Sequence, residues 1–377
     1  MEAVEPTILY QETNPYGSMT AFLEDDGRTI YLYLQSQKDP ESPIKTVWVK
    51  NRIPGPISRD SSDLQDGMAP VLCRDEIEQS DFHSMHPENL YFIWLEEGNG
   101  LALFYEDELV AFLPPWSGVK GFHGYSKFAK VESITANPLG NSENGVIPER
   151  IRKARDFWEF RSQKDSWKDI QKKRLDYLES KLGAHQKYWS ADGGKFPALA
   201  IAKFQHPMDP KIVVYSTIGM SAQNMPSVEL YHRQYEKYAR IELLFAAKIE
   251  DSDQTESWIP HAIGEIIKFP WMMGKWLGEG HSITLSRRDP ESLHCNFTHF
   301  FISEKFSHYK SSSTALPVPL DGELISENGQ PIHFLYLLPV TEEEVFYIKK
   351  AGASSFLKTI EPSGFGWVHH SGRQSFL

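Results

Sequence analysis

Apolar and polar residues alternate over short runs in the first third of this chain, recur at helical spacing in its middle, and gather into unbroken apolar runs further on. Ala21 to Glu24 and Thr29 to Leu34 flank Asp25-Asp26-Gly27, a turn signal that predicts a hairpin, and Thr46 to Val49 supplies a third strand. Leu90 to Leu95, Leu101 to Tyr105 and Leu109 to Leu113 predict three more strands, separated by Glu97-Gly98-Asn99-Gly100 and by Glu106-Asp107-Glu108. Pro114-Pro115-Trp116 then stops the sheet. A helix follows, with Pro148 in a first turn that tolerates it and an apolar stripe at Ile151, Ala154 and Phe157 or Trp158.

A second helix restarts at Ser166 and Asp169, which have capping-box spacing, and Leu175, Leu178, Leu182 and Trp189 recur until Gly183 or the residues after it weaken the pattern. Its other face carries Lys168, Lys172, Lys173 and Arg174, a pattern compatible with RNA or an acidic surface but expected more of a solvated helix face or of contact with the acidic amino-terminal domain. Lys211 to Thr217 is rich in β-branched and aromatic residues and predicts a buried strand, with Gly219 giving the freedom for a tight turn. Ile241 to Ala247 is another apolar run of strand length. In a half-buried strand, Arg240 and Glu242 share a face two residues apart, where they can form a structural ion pair.

At 377 residues, 40% hydrophobic and 24% charged, the chain has a globular balance and room for two domains. The start, MEAVEPTILYQE, lacks the basic and apolar regions of a secretion signal, and apolar runs such as FLYLLPV fall far short of a membrane span. Cys73 and Cys295 alone make neither a disulfide framework nor a multi-cysteine zinc site, which fits a reducing, cytoplasmic setting. The sequon Asn296-Phe297-Thr298 is then idle.

Charge divides the chain. Residues 1–148 hold 23 acidic against 10 basic side chains, residues 149–189 hold 7 against 12, and the remainder 21 against 17, giving nets of −13, +5 and −4. The expected organisation is therefore α+β, with an acidic β-rich domain over 1–147, a basic helical connector over 148–189 and a mixed α/β domain over 190–377. An acidic first domain disfavours a nucleic-acid partner and attracts a basic protein, although solubility alone explains such a surface equally well.

Three segments then fall into one pattern. Thr217, Gly219 and Ser221 end a strand in a T-x-G-x-S turn; Arg240, Glu242 and Leu243 form an R-x-E-L strand; Trp276, Gly280 and His281 close a Trp-rich segment on G-H. Leu338 and Pro339 end a later strand that runs into a Glu-rich helix with Glu343 and Gly352. Together these resemble the Suppressor of fused domain over roughly Pro197 to Ile360. The phrases VWVK, DGMAP, WLEEGNGLALFYEDELVAFLPPWSG and GFHGYSKFA resemble the amino-terminal half of long bacterial members. The resemblance implies a protein that grips other proteins and has no established catalytic site.

Simple catalytic signatures are missing: no G-x-x-x-x-G-K-[ST] loop, no G-x-S-x-G elbow and no C-x-x-C pair occurs. His261 and Glu265, four apart in a helix opening near Trp258-Ile259-Pro260, have metal-ligand spacing, but fit equally the polar face of a helix that turns Ile263, Ile266 and Ile267 inward. His294 and His299 are offset onto opposite strand faces. His281 in GEGHS follows two glycines, and its expected work is to hold the turn before a strand over Ser282 to Ser286. No cofactor or metal is expected.

Binding evidence lies elsewhere. Of the 10 Trp residues, Trp48 and Trp94 lie within strands, whereas Trp116, Trp271 and Trp276 adjoin Pro or Gly in expected loops and, with His281, are the candidate partner-binding residues. The first functional reading is a non-catalytic bacterial immunity protein that masks a basic toxin domain, since bacterial relatives of the family often neutralise toxins. The second is a regulatory adaptor that sequesters a protein through peptide strand addition. In the animal protein that names the family the domain order differs, so no peptide-contacting residue carries over. A hydrolase centred on His281 or His261 is the third.

Overall fold

The alternating runs of the amino-terminal third build two sheets. The computed structural model describes residues 5–59, 65, 67–141, 143–249, 258–285, 297–304, 309–310, 315–316, 320, 324–370 and 373–377. By contacts the chain divides into a first unit, Met1–Gln163 with Trp271–Gly274, and a second, Lys164–Pro270 with Lys275–Leu377.

In the first unit β1 (Thr7–Thr13), β2 (Met19–Asp25), β3 (Thr29–Ser36) and β4 (Lys45–Asn51) form an antiparallel sheet in that order. Its expected Asp-Gly turn closes because the Asp26 carboxylate accepts the backbone N–H groups of Arg28 and Thr29 at 2.8 and 2.7 Å, while Gly27 takes φ +79°. A second sheet runs β5 (Leu90–Trp94), β6 (Leu101–Tyr105), β7 (Glu108–Leu113), β8 (Tyr125–Ser126) and β9 (Asn137–Pro138). Glu106 and Asp107 alone make the turn between β6 and β7, both at positive φ, and Glu108 already belongs to β7. One core joins the two sheets, with Leu23, Leu32, Val47, Phe92, Leu103 and Leu113 among its buried members. Helix α1 (Val146–Ser162) buries Ile151, Ala154 and Phe157, the stripe read from the sequence.

In the second unit α2 (Ser166–Leu182) precedes β10 (Lys187–Ser190), β11 (Ala200–Gln205), β12 (Ile212–Ile218) and β13 (Ile241–Lys248). Helix α3 (Trp258–Ile266) follows, and α4 (Phe269–Met273) begins in this unit and passes into the first at Trp271. Then come β14 (Ser282–Thr284), β15 (Phe297–Ser303), the short pair β16 (Tyr309–Lys310) and β17 (Ala315–Leu316), and β18 (His333–Thr341). The unit closes with α5 (Glu342–Ala351), α6 (Ala353–Ile360) and β19 (Val368–His370). The class is α+β. Of the two helices read as one basic connector, α1 groups with the first unit and α2 with the second.

The large sheet has the order β10-β11-β12-β13-β18-β15-β14. β13 is its centre: antiparallel to β12, it pairs in parallel with β18 along its first half and with β19 along its second. A strand flanked and covered in this way is buried on both faces, which corrects the half-buried expectation and explains the unbroken apolar run. β18 likewise runs on past Leu338-Pro339 to Thr341, so the Leu-Pro pair lies inside the strand. The sequence features at Ser286, His294, Cys295 and Asn296 lie outside the described residues. Among the described residues no helix is long and apolar enough to cross a membrane.

The parallel seam between β13 and β19 holds a buried His369, its ring 5.8 Å from Phe245, 6.1 Å from Trp258 and 5.1 Å from Phe297. Its Nδ1 has no hydrogen-bond partner among the described residues. Burial pushes its pKa down to about 3, and the charges of Arg373 and His370 add to the effect. The fold therefore favours the neutral ring, and the unfolded chain binds the proton more tightly. This contribution to stability is fully present above pH about 6.5 and is lost as pH falls towards the folded value, on the order of 5 kcal/mol over the whole window. Hydrogen exchange of peptides covering β13 and β19 should accelerate between pH 6.5 and 4.5 beyond the intrinsic rate change, and His369→Phe should flatten that response. An unchanged response in the variant would assign it to other groups.

Candidate functional site

Glu242 is the point on which the second unit turns. Its side chain enters a dry interior where every visible contact is a donor. Oε1 accepts from the backbone N–H of Gly219 at 2.9 Å and of Ser221 at 3.1 Å, and from the Ser221 hydroxyl at 2.6 Å. Oε2 accepts from the Thr217 hydroxyl at 2.7 Å, and the Thr217 oxygen accepts in turn from the backbone N–H of Leu243 at 2.8 Å. Burial raises the Glu242 pKa, opposed by the bonds from Ser221 and Thr217 and by the charge of Arg174.

The T-x-G-x-S turn supplies those donors because of its backbone. Gly219 holds φ +101°, and a Cβ there would stand 2.8 Å from the Ala198 carbonyl and 2.8 Å from the Trp167 ring. Only glycine fits both demands. Ser221 follows in a 3-10 turn, Met220–Ala222, that aims its amide back at Glu242.

Two arginines complete the node. Arg240 donates to the Ser221 carbonyl at 3.1 Å and to Gln330 at 2.6 Å, so it and Glu242 meet on the same serine. Arg174 donates to the Ser221 hydroxyl at 3.1 Å and forms a two-pronged pair with Glu327, one prong at 2.9 Å. Burial alone would raise the Glu327 carboxyl, but the Arg174 bonds and charge hold it below the ordinary value. Arg174 is 0% exposed, which corrects its expected place on a solvated face. It occupies the buried stripe Ile170, Arg174, Leu178 and Leu182, four residues apart each time, while Lys168, Lys172 and Lys173 are exposed. The capping-box expectation also shifts, since the N-cap is Asp165 and its side chain makes no capping bond.

From the node a long loop, residues 219–240, leaves β12 and returns to β13. Its tip bears an aromatic patch. Tyr231 is 66% exposed and its ring lies 5.3 Å from Trp276. His232 meets Trp276 at 5.0 Å and stacks on Tyr238 at 4.5 Å, and Tyr238 stacks on His333 at 5.5 Å. The loop is tied down at both ends: the Met225 amide donates to the Ala239 carbonyl at 2.8 Å, and the Leu277 amide donates to the Met225 sulfur at 3.4 Å.

The four candidates from the sequence separate. Trp276 and His281 come together at 4.5 Å, and the Trp276 ring lies over Gly278, where a Cβ would stand 2.1 Å from it. The His281 backbone holds its turn by donating to Gly278 at 3.2 Å and accepting from Ile302 at 2.8 Å. Burial lowers the His281 pKa against a hydrogen bond to the Trp276 backbone. Trp116, in the first unit, is half-buried with the Arg150 guanidinium 4.9 Å from its ring. Trp271 is a correction: it belongs to α4, is 2% exposed and stacks on Tyr16 at 6.0 Å, so it serves a core. Tyr231 and Tyr238 stand seven apart, a helical spacing, but the segment forms short 3-10 turns over Val228–Leu230 and Tyr235–Lys237, so periodicity in YHRQYEKY does not reveal the patch they make with His232.

His261 and Glu265 lie exposed on α3, with Ile263, Ile266 and Ile267 buried. Among the described residues no group of three His, Cys, Asp or Glu side chains has the geometry to hold a metal ion.

The node makes a direct prediction. Glu242→Ala leaves the buried amides of Gly219 and Ser221 and the hydroxyls of Thr217 and Ser221 without their acceptor and should cost about 3–5 kcal/mol. Gly219→Ala should cost about 1–3 kcal/mol from its backbone conformation alone. The exposed Glu342→Ala should stay within about 0.5 kcal/mol. Urea unfolding followed by hydrogen exchange of β12 and β13 measures all three, and equal effects would remove the node from its central place.

The family model described as Suppressor of fused protein (SUFU) matches residues 196–374. Among solved structures the chain is similar to a Suppressor of fused homologue from Neisseria gonorrhoeae FA 1090, with 16% identity over 56% of this chain and 98% of that one at a TM-score of 0.39. It is also similar to the Sufu-Fu complex, with 14% identity over 55% and 92% at 0.40, and to Drosophila Suppressor of Fused, with 14% identity over 47% and 42% at 0.34. No curated protein matches the chain. The turn, the strand and the Glu-rich helix that first suggested the resemblance all fall within the matched span, and residues 196–374 form a domain of the Suppressor of fused family.

Proposed function

We propose that this chain is a non-catalytic protein-binding protein that acts in the cytoplasm as an immunity protein, masking a basic toxin domain. The observation that carries the reading is the exposed Tyr231 backed by Trp276 on a loop anchored by the buried node. A large ring with low conformational entropy, held from behind by a second ring, is the kind of group that dominates binding energy at interfaces. Of the charged residues of the family signature, Arg240 and Glu242 point inward and are already hydrogen-bonded, so they offer nothing to a substrate, while Glu343 lies on the outer face of its helix. The net charge of −12 supports a basic partner, whose approach it would accelerate.

A regulatory adaptor remains the second reading, supported by β10. This short strand ends the sheet order and offers the sort of edge to which an extended peptide adds. The Sufu-Fu complex is an assembly of a Suppressor of fused protein with another molecule, in keeping with either reading.

A gene for a toxin-like polypeptide immediately upstream would favour the first reading, and co-expression with that polypeptide tests it. The wild type should restore growth and bind that polypeptide directly. Tyr231→Ala and Trp276→Ala should each weaken binding by about 2 kcal/mol, roughly 30-fold, without an equal loss of folding stability. Full rescue by the double variant would move the interface elsewhere, and no rescue by the wild type would end the immunity reading.

A further inference from the structure

Helix α5 divides its residues sharply between inside and outside. Glu344, Val345 and Ile348 are buried. Glu344 closes a capping box with Thr341 and pairs with Arg373 at 2.8 Å, both side chains being out of solvent. It is thus Glu344 that anchors the Glu-rich helix, while the sequence-matched Glu343 faces out.

The outer face consists of Glu342, Glu343, Phe346, Lys349 and Lys350. Phe346 is 68% exposed, and its ring has no aromatic partner among the described residues. Beside it lies a shallow hollow of about 570 Å³ lined by Glu342, Glu343, Phe346, Tyr347, Lys350 and Leu377, the last 52% exposed. Among the described residues none of Glu342, Glu343, Lys349 and Lys350 has an ion-pair partner within the chain.

These five positions are symmetric about Phe346. Glu342 and Lys350 lie four residues to either side of it, and Glu343 and Lys349 three. At 1.5 Å per residue the charges stand about 6 and 4.5 Å along the axis from the ring. A two-fold axis through Phe346 would lay a second α5 antiparallel on the first. Glu342 then faces Lys350 of the second copy, Glu343 faces Lys349 of the second copy, and the reverse pairs follow by symmetry. The two phenylalanines meet in the centre and the helix dipoles oppose. Acids first and lysines last also suit a single helix dipole, but that accounts only for the ends and leaves an exposed phenylalanine between them unexplained.

We propose that α5 is a homodimerisation face, its occupant a second copy of this chain held by a Phe346 contact flanked by four ion pairs. A ten-residue helix buries less than the roughly 1,200 Å² at which standard interfaces begin, so the association is weak and reversible and tightens at low salt.

Sedimentation velocity of the full chain, titrated to about 1 mM at low and high salt, tests this. The wild type should show a concentration-dependent monomer–dimer equilibrium, and Phe346→Ser should weaken it at least tenfold. Glu342→Lys with Glu343→Lys makes an all-basic face, and Lys349→Glu with Lys350→Glu an all-acidic one; each should be monomeric alone, and an equimolar mixture should associate at least as tightly as the wild type. Thermal denaturation of each variant checks that the fold persists. A wild type that is monomeric throughout, charge variants that still dimerise alone, or a mixture that does not recover association would each overturn the proposal.

Discussion

A carboxylate sealed from water governs the second unit. Glu242 sits near the start of β13, the strand that pairs with β12, β18 and β19, and it cannot be hydrated there. Its lone pairs must be met by protein donors, and the chain meets them with two amides and two hydroxyls from one turn. That demand fixes Gly219 in its left-handed conformation, brings Ser221 round, and draws Arg174 and Arg240 to the far side of the serine. Replacing such a cluster by packed hydrocarbon is often neutral or favourable for stability, so the cluster is better understood as fixing one arrangement. A purely apolar strand between β12 and β18 could slip by two residues and still bury its side chains; Glu242 cannot slip without losing its donors.

The same cluster gives the aromatic patch its rigidity. A loop of some twenty residues without long regular structure would ordinarily lose much entropy on binding a partner. Here its first residues are held by Glu242, its last by Arg240, and its two arms are tied to each other by the bond from Met225 to Ala239. Tyr231 and Tyr238 are therefore presented on a platform ordered during folding, and the loss of freedom on binding is confined to the rings. On the proposed reading Thr217, Gly219, Ser221, Arg240 and Glu242 act at one remove from a partner, holding the ends of the loop whose tip would touch it.

Much of the architecture was legible in the sequence because local chemistry decided it. The strands around Asp26-Gly27 and the Ile151, Ala154, Phe157 stripe needed only turn residues and periodicity to be read. What escaped depended on tertiary context. Arg174 sits in a row of lysines and carries the same charge, yet its position four residues from Ile170 and Leu178 puts it in the stripe, and only the distant Ser221 and Glu327 make its burial tolerable. Trp271 adjoins a proline and reads as a loop, but the short helix that contains it is invisible to propensity and its partner is Tyr16. Glu344 could not be told from Glu342 and Glu343 until Arg373 was placed beside it.

This separation of inner and outer residues bears on how function should be sought in such domains. A motif that survives as scattered Thr, Gly, Ser, Arg and Glu invites a catalytic reading, since those are the residue types of active sites. Burial argues the other way. A catalytic carboxylate must exchange protons or meet a reacting atom, and both need an approach from outside. The bonds around Glu242 leave no such approach: one oxygen holds three donors, and the other is closed by Thr217, itself engaged with the backbone of β13. The chemistry of the signature is spent on shape. Specificity must then reside in side chains free to vary without breaking the node, and the described surface of the second unit places its largest exposed rings in two such positions, Tyr231 at the loop tip and Phe346 on α5. The first is backed by aromatic neighbours and is the proposed contact for a different protein; the second is framed by charges that complement their own reversed sequence, as the proposed dimer requires.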